Sequence, residues 1–367
     1  MNKTLWRKGI DGMVPYVPGK PIEDVKREYG VEKITRLASN ENPLGPSPKA
    51  IEAMQHAVAD GWLYPEPTGM ALREKLADLY QLDPEQFVIG NGADHLITMI
   101  CGAYINEGDE VIYSAPTFGS YRGATLAMGG TPVEMPLTSD HVYNVDAVLD
   151  AVTERTKIIF ICNPNNPTGT LLPPEKLRRF LDQVPSHVLT VLDEAYAEFI
   201  REDGYPSGRD FINEGYQLIT LRTFSKLYGL AGTRVGYAYG DEDVLAPLKV
   251  VRPTFEVNRI ALAGAEATMD DLSYSKQSLR IIWNEIDRLA PIYRDLGFDV
   301  TDTHTNFMFV DVKTDANQLS EELLKKGIII RPCTPWGLDE HVRITIGSPE
   351  QNDLLVDALR ACRGVEK

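Results

Sequence analysis

Three short polar segments of this 367-residue chain follow directly on runs of apolar residues, the place where ligands meet side chains in an open α/β sheet. Asp193 closes the aliphatic run within VLTVLDEAY (188–196). ICNPNNPTG (161–169) carries two Asn-Pro pairs and a glycine, which force a tight, irregular turn. Lys226 stands among hydroxyls and glycines in TFSKLYGLAGTRVG (223–236). Taken singly, the carboxylate reads as a strand-end cap, the second segment as a turn and the lysine as a solvated surface charge. A fourth segment, GNGADH (90–95), puts small residues at a strand-to-helix junction, where the backbone N–H groups of Ala93 and Asp94 and the helix dipole favour an anion. As a GxG fragment it lacks the third glycine of a dinucleotide site.

In the order NPTG, then D-x-A-Y, then S-K with an arginine eight residues after the lysine, the segments resemble the signature of fold-type-I aminotransferases, over essentially the whole chain. The resemblance implies pyridoxal 5'-phosphate as cofactor, an electron sink that the protein binds, orients and tunes. It makes Lys226 the residue that holds the cofactor as a Schiff base and, once freed, moves a proton between the donor's Cα and the cofactor. Asp193 would pair with the pyridine nitrogen and keep the ring protonated. Asn166 and Tyr196 would hydrogen-bond the ring's phenolic oxygen, and Phe118, in APTFGSY, would stack on the ring. Thr223, Ser225 and Arg234 would complete the phosphate cup begun by Ala93 and Asp94. Tyr64, in LYPEPTG, would reach a neighbouring subunit's phosphate, which implies a homodimer with shared sites.

PYVPGKPIEDVKREYG (15–30), LASNENPLGPSPKA (37–50) and RPCTPWGLDEHVRITIG (331–347) are similar to one branch, the histidinol-phosphate aminotransferases of histidine biosynthesis. That branch transfers the amino group of L-histidinol phosphate to 2-oxoglutarate, giving imidazole acetol phosphate and L-glutamate. Arg343 corresponds to the arginine that grips the anionic end of the substrate, and a guanidinium fork suits phosphate and carboxylate alike. Arg331 would supply a second charge, with Tyr16 and Asn258 closing the pocket. Departures from the branch are His95, where an acidic residue is usual, Phe118 in place of a common tyrosine, and Thr223, where serine is also frequent. Competing readings are an aromatic amino-acid aminotransferase, a phosphoamino-acid decarboxylase of the same fold, and a non-catalytic cofactor-binding sensor.

The elements that must position these residues alternate. FVIG (87–90), DEVIYSAP (109–116), TPVEMPL (131–137), KIIFICNP (157–164), VLTVLDEAY (188–196), QLITLRTFSK (217–226) and RVGYAYG (234–240) read as buried strands, with helical patterns such as 93–105 and 173–184 between them. This is an α/β pattern that predicts a mostly parallel sheet covered on both faces. After residue 240 helical pattern dominates to about 296. Strands then return in 298–312, 327–332 and 341–347, with helices at 315–326 and 349–363, which reads as a smaller α+β unit. The first 50 residues are broken by Pro and Gly and read as an extended arm. The resulting division is an arm joined to the small domain (1–50), a large cofactor-binding domain (51–260) and a small C-terminal domain (261–367).

Thirty-seven Lys and Arg against 53 Asp and Glu leave a charge of −16, which opposes contact with nucleic acid or anionic membranes. A hydrophobic content of 43% supplies a sizeable core. Four scattered cysteines read as reduced thiols. No histidine spacing suggests a zinc site. The opening MNKTLWRKGIDGMVPY has no signal-peptide core and no apolar run reaches membrane-spanning length, so the expected location is the cytoplasm and the expected partners are small molecules.

Overall fold

In the computed structural model, which describes residues 5–11, 13 and 20–364, the apolar runs become strands. Strand β1 (Thr35–Arg36) belongs to a separate pairing. The next seven, β2 (Phe87–Gly90), β3 (Glu110–Ala115), β4 (Thr131–Pro136), β5 (Thr156–Cys162), β6 (Leu189–Asp193), β7 (Leu218–Thr223) and β8 (Gly236–Gly240), form one sheet in the order β2-β8-β7-β6-β5-β3-β4. β3 to β7 pair in parallel, whereas β8 runs antiparallel to both β2 and β7. Alternate residues of a strand feed opposite faces. Thus Ile158 and Phe160 join one apolar cluster and Ile159 and Ile161 another, all fully buried. Helices Ala93–Tyr104, Ser120–Ala127, Val145–Asp150, Pro174–Gln183 and Gly208–Asn213 connect successive strands.

The antiparallel β8 decides where the site forms. Its first residue, Gly236, pairs with both Gly90 and Thr223, the last residues of β2 and β7. The chain entering β8 therefore passes over the same sheet edge at which β2, β5, β6 and β7 end.

Beyond the sheet, the 24-residue helix Leu272–Asp295 leads to β9 (Asp299–Val300), β10 (Phe307–Asp311), β11 (Ile328–Ile329), β12 (Arg331–Pro332) and β13 (His341–Thr345). Four of these form an antiparallel sheet in the order β12-β13-β10-β9, and β11 pairs in parallel with β1.

Three expectations change. The run at 327–332 is not one strand: it divides at Ile330 between two sheets. β4 is a half-exposed edge rather than a buried strand, a position that its two prolines tolerate because an edge leaves N–H positions unpaired. The first 50 residues are more than an extended arm. Helix Ile22–Tyr29 buries Val25 against Ala38, Leu324 and Ile329, and ends on Gly30 in the left-handed conformation.

All four cysteines are free thiols, three of them buried. Among the described residues no cluster of His, Cys, Asp and Glu is placed to hold a metal, and no helix is long and apolar enough to cross a membrane.

Candidate active site

Lys226 lies three residues beyond β7, half-buried, and its Nζ donates to the Ser39 carbonyl at 3.3 Å. The amine sits 5.6 Å from the centroid of the Tyr196 ring. Burial, helped by the Arg343 and Arg234 charges and opposed by Glu41 and Asp193, pushes its pKa down from 10.5 to about 8. The unfolded lysine holds its proton up to about its ordinary value, so between pH 8 and 10.5 the unfolded state binds more protons and stability rises with pH. The penalty for burying the charged lysine is thus complete below pH 8. Lys226→Met should stabilise the cofactor-free protein by on the order of 1–2 kcal/mol at pH 7. That gain should shrink toward pH 10.5, as followed by denaturant unfolding. A gain independent of pH would contradict this account.

Asp193, the last residue of β6, is buried. Its Oδ2 accepts from the Tyr121 hydroxyl at 2.7 Å and its Oδ1 from the Ala195 N–H at 3.1 Å. Burial raises its pKa, and these hydrogen-bond donors are neutral. Such a carboxylate suits a ligand that brings a cationic N–H. Tyr121 is a residue that sequence reasoning missed, since its approach to Asp193 depends on the pairing of β3, β5 and β6, which no local pattern encodes.

Tyr196 and Asn166 reach the same region through partners from the C-terminal and N-terminal segments. The buried Tyr196 hydroxyl accepts from Asn40 Nδ2 at 2.8 Å, and burial pushes its pKa up. Asn40 itself is fixed by Thr345, whose hydroxyl donates to its Oδ1 at 3.0 Å. Asn166 Oδ1 accepts from Arg343 Nη1 at 2.5 Å, while Arg343 Nη2 donates to the Ala38 carbonyl at 2.7 Å. Arg331 stands directly across from Arg343 in the β12–β13 pairing. Both guanidiniums lie near the Trp336 ring, at 5.6 and 5.9 Å from its centroid. Trp336 Nε1 donates to the Thr117 carbonyl at 2.8 Å, which ties the small sheet to the loop after β3. Asn40 and Trp336 were also missed, though both lie in segments that carried the resemblance.

The segment expected to hold an anion has a defined backbone shape. Helix Ala93–Tyr104 starts at Gly92, which has φ +83° and gives no side-chain cap to its first N–H groups. A Cβ at Gly92 would lie 2.5 Å from Arg234 Nη2, and one at Gly236 would lie 2.9 Å from the Ala93 nitrogen. These positions need glycine because the guanidinium and backbone approach so closely. Arg234 Nη1 donates to Ser225 Oγ at 3.3 Å, and the Ser225 N–H donates to Thr223 Oγ1 at 3.1 Å. A guanidinium, hydroxyls and uncapped N–H groups are the donor set a phosphate requires.

Of the remaining expected residues, Phe118, Asp94 and Asn258 fall around this cluster. Phe118 is half-buried and meets the Tyr121 ring edge-on at 5.8 Å. Asp94 is exposed. Asn258 caps helix Arg259–Met269 and donates to the Thr233 carbonyl at 3.1 Å, one residue from Arg234. Tyr64 stands apart, 77% exposed and stacked on Phe255 at 4.5 Å. Tyr16 lies outside the described residues.

Comparison with known proteins agrees with the geometry. A profile of the family "Aminotransferase class I and II" matches residues 32–359. The chain is 42% identical over 355 residues to the histidinol-phosphate aminotransferase of Moorella thermoacetica, covering 96% of this chain and 92% of that one. It is 39% identical to the corresponding protein of Symbiobacterium thermophilum, covering 98% of each. The crystal structure of histidinol-phosphate aminotransferase from Sinorhizobium meliloti in complex with pyridoxal-5'-phosphate superposes with a TM-score of 0.88 at 30% identity, covering 98% of each chain.

Proposed function

The chain belongs to the class I and II aminotransferases, and from that premise we propose that it transfers the amino group of L-histidinol phosphate to 2-oxoglutarate, with pyridoxal 5'-phosphate as cofactor. The observation that carries the substrate assignment is the cross-strand pair Arg331 and Arg343, two guanidiniums beside one Trp336 ring, with the Arg343 charge near enough to Lys226 to help lower its pKa. One such pair serves a phosphate in one half-reaction and a carboxylate in the other.

Pyridoxal phosphate, when bound, supplies an aldehyde and an electron sink. Lys226, with its pKa drawn down to about 8, has a larger share of free amine near neutral pH than an ordinary lysine, and would hold that aldehyde and, once released, move the proton at the donor's Cα. Asp193 would hold the positive charge at the pyridine nitrogen, and Tyr121 keeps that carboxylate oriented. Arg343 occupies Asn166 Oδ1, and the N–H donors of that carboxamide, with the Tyr196 hydroxyl, would hydrogen-bond the cofactor's phenolic oxygen. Phe118 would cover the ring. Ala93, Asp94, Thr223, Ser225 and Arg234 would hold the phosphate.

The exposed run Trp62, Leu63 and Tyr64, with Val58, supports a homodimer in which Tyr64 completes the partner's site. A cytoplasmic location, and division of the chain near residues 50 and 260 into arm, large and small domains, complete the reading.

The test is an amino-donor panel with 2-oxoglutarate as acceptor. Histidinol phosphate should show the higher kcat/KM. A preference for phenylalanine would replace the substrate assignment, and carbon dioxide release without consumption of the keto acid would indicate a decarboxylase.

A further inference from the structure

One buried carboxylate beside the phosphate cup has no part in the reaction above. The Glu256 side chain is only 4% exposed. Its Oε1 accepts from the Asn91 N–H at 2.8 Å and pairs with His95 Nδ1, while its Oε2 has no hydrogen-bond partner among the described residues. Asn91 and His95 flank Gly92, the start of the helix that presents the phosphate donors. A single oxygen, Glu256 Oε1, therefore bridges the residue before Gly92 and the first turn of the helix after it. The approach is close: a Cβ on Gly90 would come within 3.2 Å of the same Oε1.

The loop carrying Glu256 is itself pinned. Phe255, at φ +57°, stacks on Tyr64, and Asn258 bonds the Thr233 carbonyl next to Arg234. An ionised carboxylate in this position would oppose a phosphate dianion unless a donor or a cation offsets it. Arg234 packs on Gly92, but the group in contact with the carboxylate is His95. An imidazole can supply a ring N–H and, when protonated, a charge.

We propose that His95 and Glu256 act as a charge-compensating clasp that holds the GNGADH turn in shape and sets the protein's affinity for the phosphate of its cofactor. Both are positioning residues. The proposal rests on the reading that the chain binds pyridoxal phosphate.

The experiment titrates cofactor-free protein with pyridoxal phosphate and, separately, with pyridoxal, which lacks the phosphate. Wild type, His95→Ala, His95→Asn, Glu256→Gln and the double variant His95→Ala/Glu256→Gln are compared. His95→Ala should weaken pyridoxal phosphate roughly tenfold and leave pyridoxal unchanged. Asparagine at 95, whose amide can replace the Nδ1 donor, should recover part of the loss and serves if the alanine variant does not fold. Glu256→Gln on the His95→Ala background should also recover affinity, because it removes the uncompensated charge while keeping an acceptor for Asn91. Equal losses for both ligands, no loss, or a double variant weaker than His95→Ala would overturn the clasp. Wild-type protein that takes up neither ligand would instead overturn the cofactor reading on which it rests.

Discussion

Lys226→Ala is expected to eliminate turnover, lowering kcat by at least about 10⁴-fold, and to remove the visible absorbance that reports a covalently held cofactor. The size follows from two functions lost together. The amine holds the aldehyde at the site, and the same amine moves the proton at Cα, a step for which general acid–base catalysis alone contributes about 10²–10⁴-fold. The structure also predicts what survives. Asp193, Arg234, Ser225 and the Gly92 turn are held by bonds that do not involve Lys226, so the variant should still retain the cofactor through its phosphate and ring nitrogen. Spectra of the purified variant, with and without borohydride reduction, separate the cases. Reduction should fix the cofactor to the wild-type chain and not to the variant. A variant that turns over and keeps the wild-type spectrum would refute the central assignment.

Lys226 illustrates what could be read from the chain alone and why. Its type and neighbours are local: a lysine just past a buried strand, hydroxyls on either side, an arginine eight residues on. Asp193, Asn166 and Arg234 are similarly fixed by short segments at strand ends, and the alternation of apolar runs with helical pattern carries the mostly parallel sheet. What could not be read depends on which strand lies beside which. Tyr121 meets Asp193 across 72 residues, Asn40 meets Tyr196 across 156, and Trp336 meets Thr117 across 219. Each contact is made by the order of strands in a sheet or by the docking of one unit on another, and period-2 or period-3.6 patterning is silent on both. The same limit explains the run at 327–332. Its six residues read as one strand, yet Ile328–Ile329 pair with β1 and Arg331–Pro332 with β13. That division is what places Arg331 opposite Arg343.

Replacing Arg343 with glutamine should lower kcat/KM for the amino donor and for the keto acid together, each by about 10²–10³-fold, because truncating a buried, hydrogen-bonded charge costs about 2–5 kcal/mol. Arg343 is 7% exposed and carries two structural duties besides its charge, the bonds to Asn166 and to the Ala38 carbonyl. The Asn166 bond makes a further distinction. If the guanidinium only binds the substrate's anionic end, KM rises and kcat holds. If it also fixes the Asn166 carboxamide toward the cofactor, kcat falls as well, and the spectrum of the substrate-free enzyme shifts with pH. Both effects are expected here. Arg343→Lys should rescue little, since an ammonium cannot span Asn166, Ala38 and a substrate oxygen with one planar fork. Arg331→Gln provides the contrast. Half-buried across the strand pair from Arg343, Arg331 should matter more for a phosphate dianion than for a carboxylate, so its loss should penalise histidinol phosphate more than glutamate. Equal penalties on both donors would remove Arg331 from substrate selection, and an Arg343→Gln enzyme unaffected in either half-reaction would remove Arg343 from the site altogether.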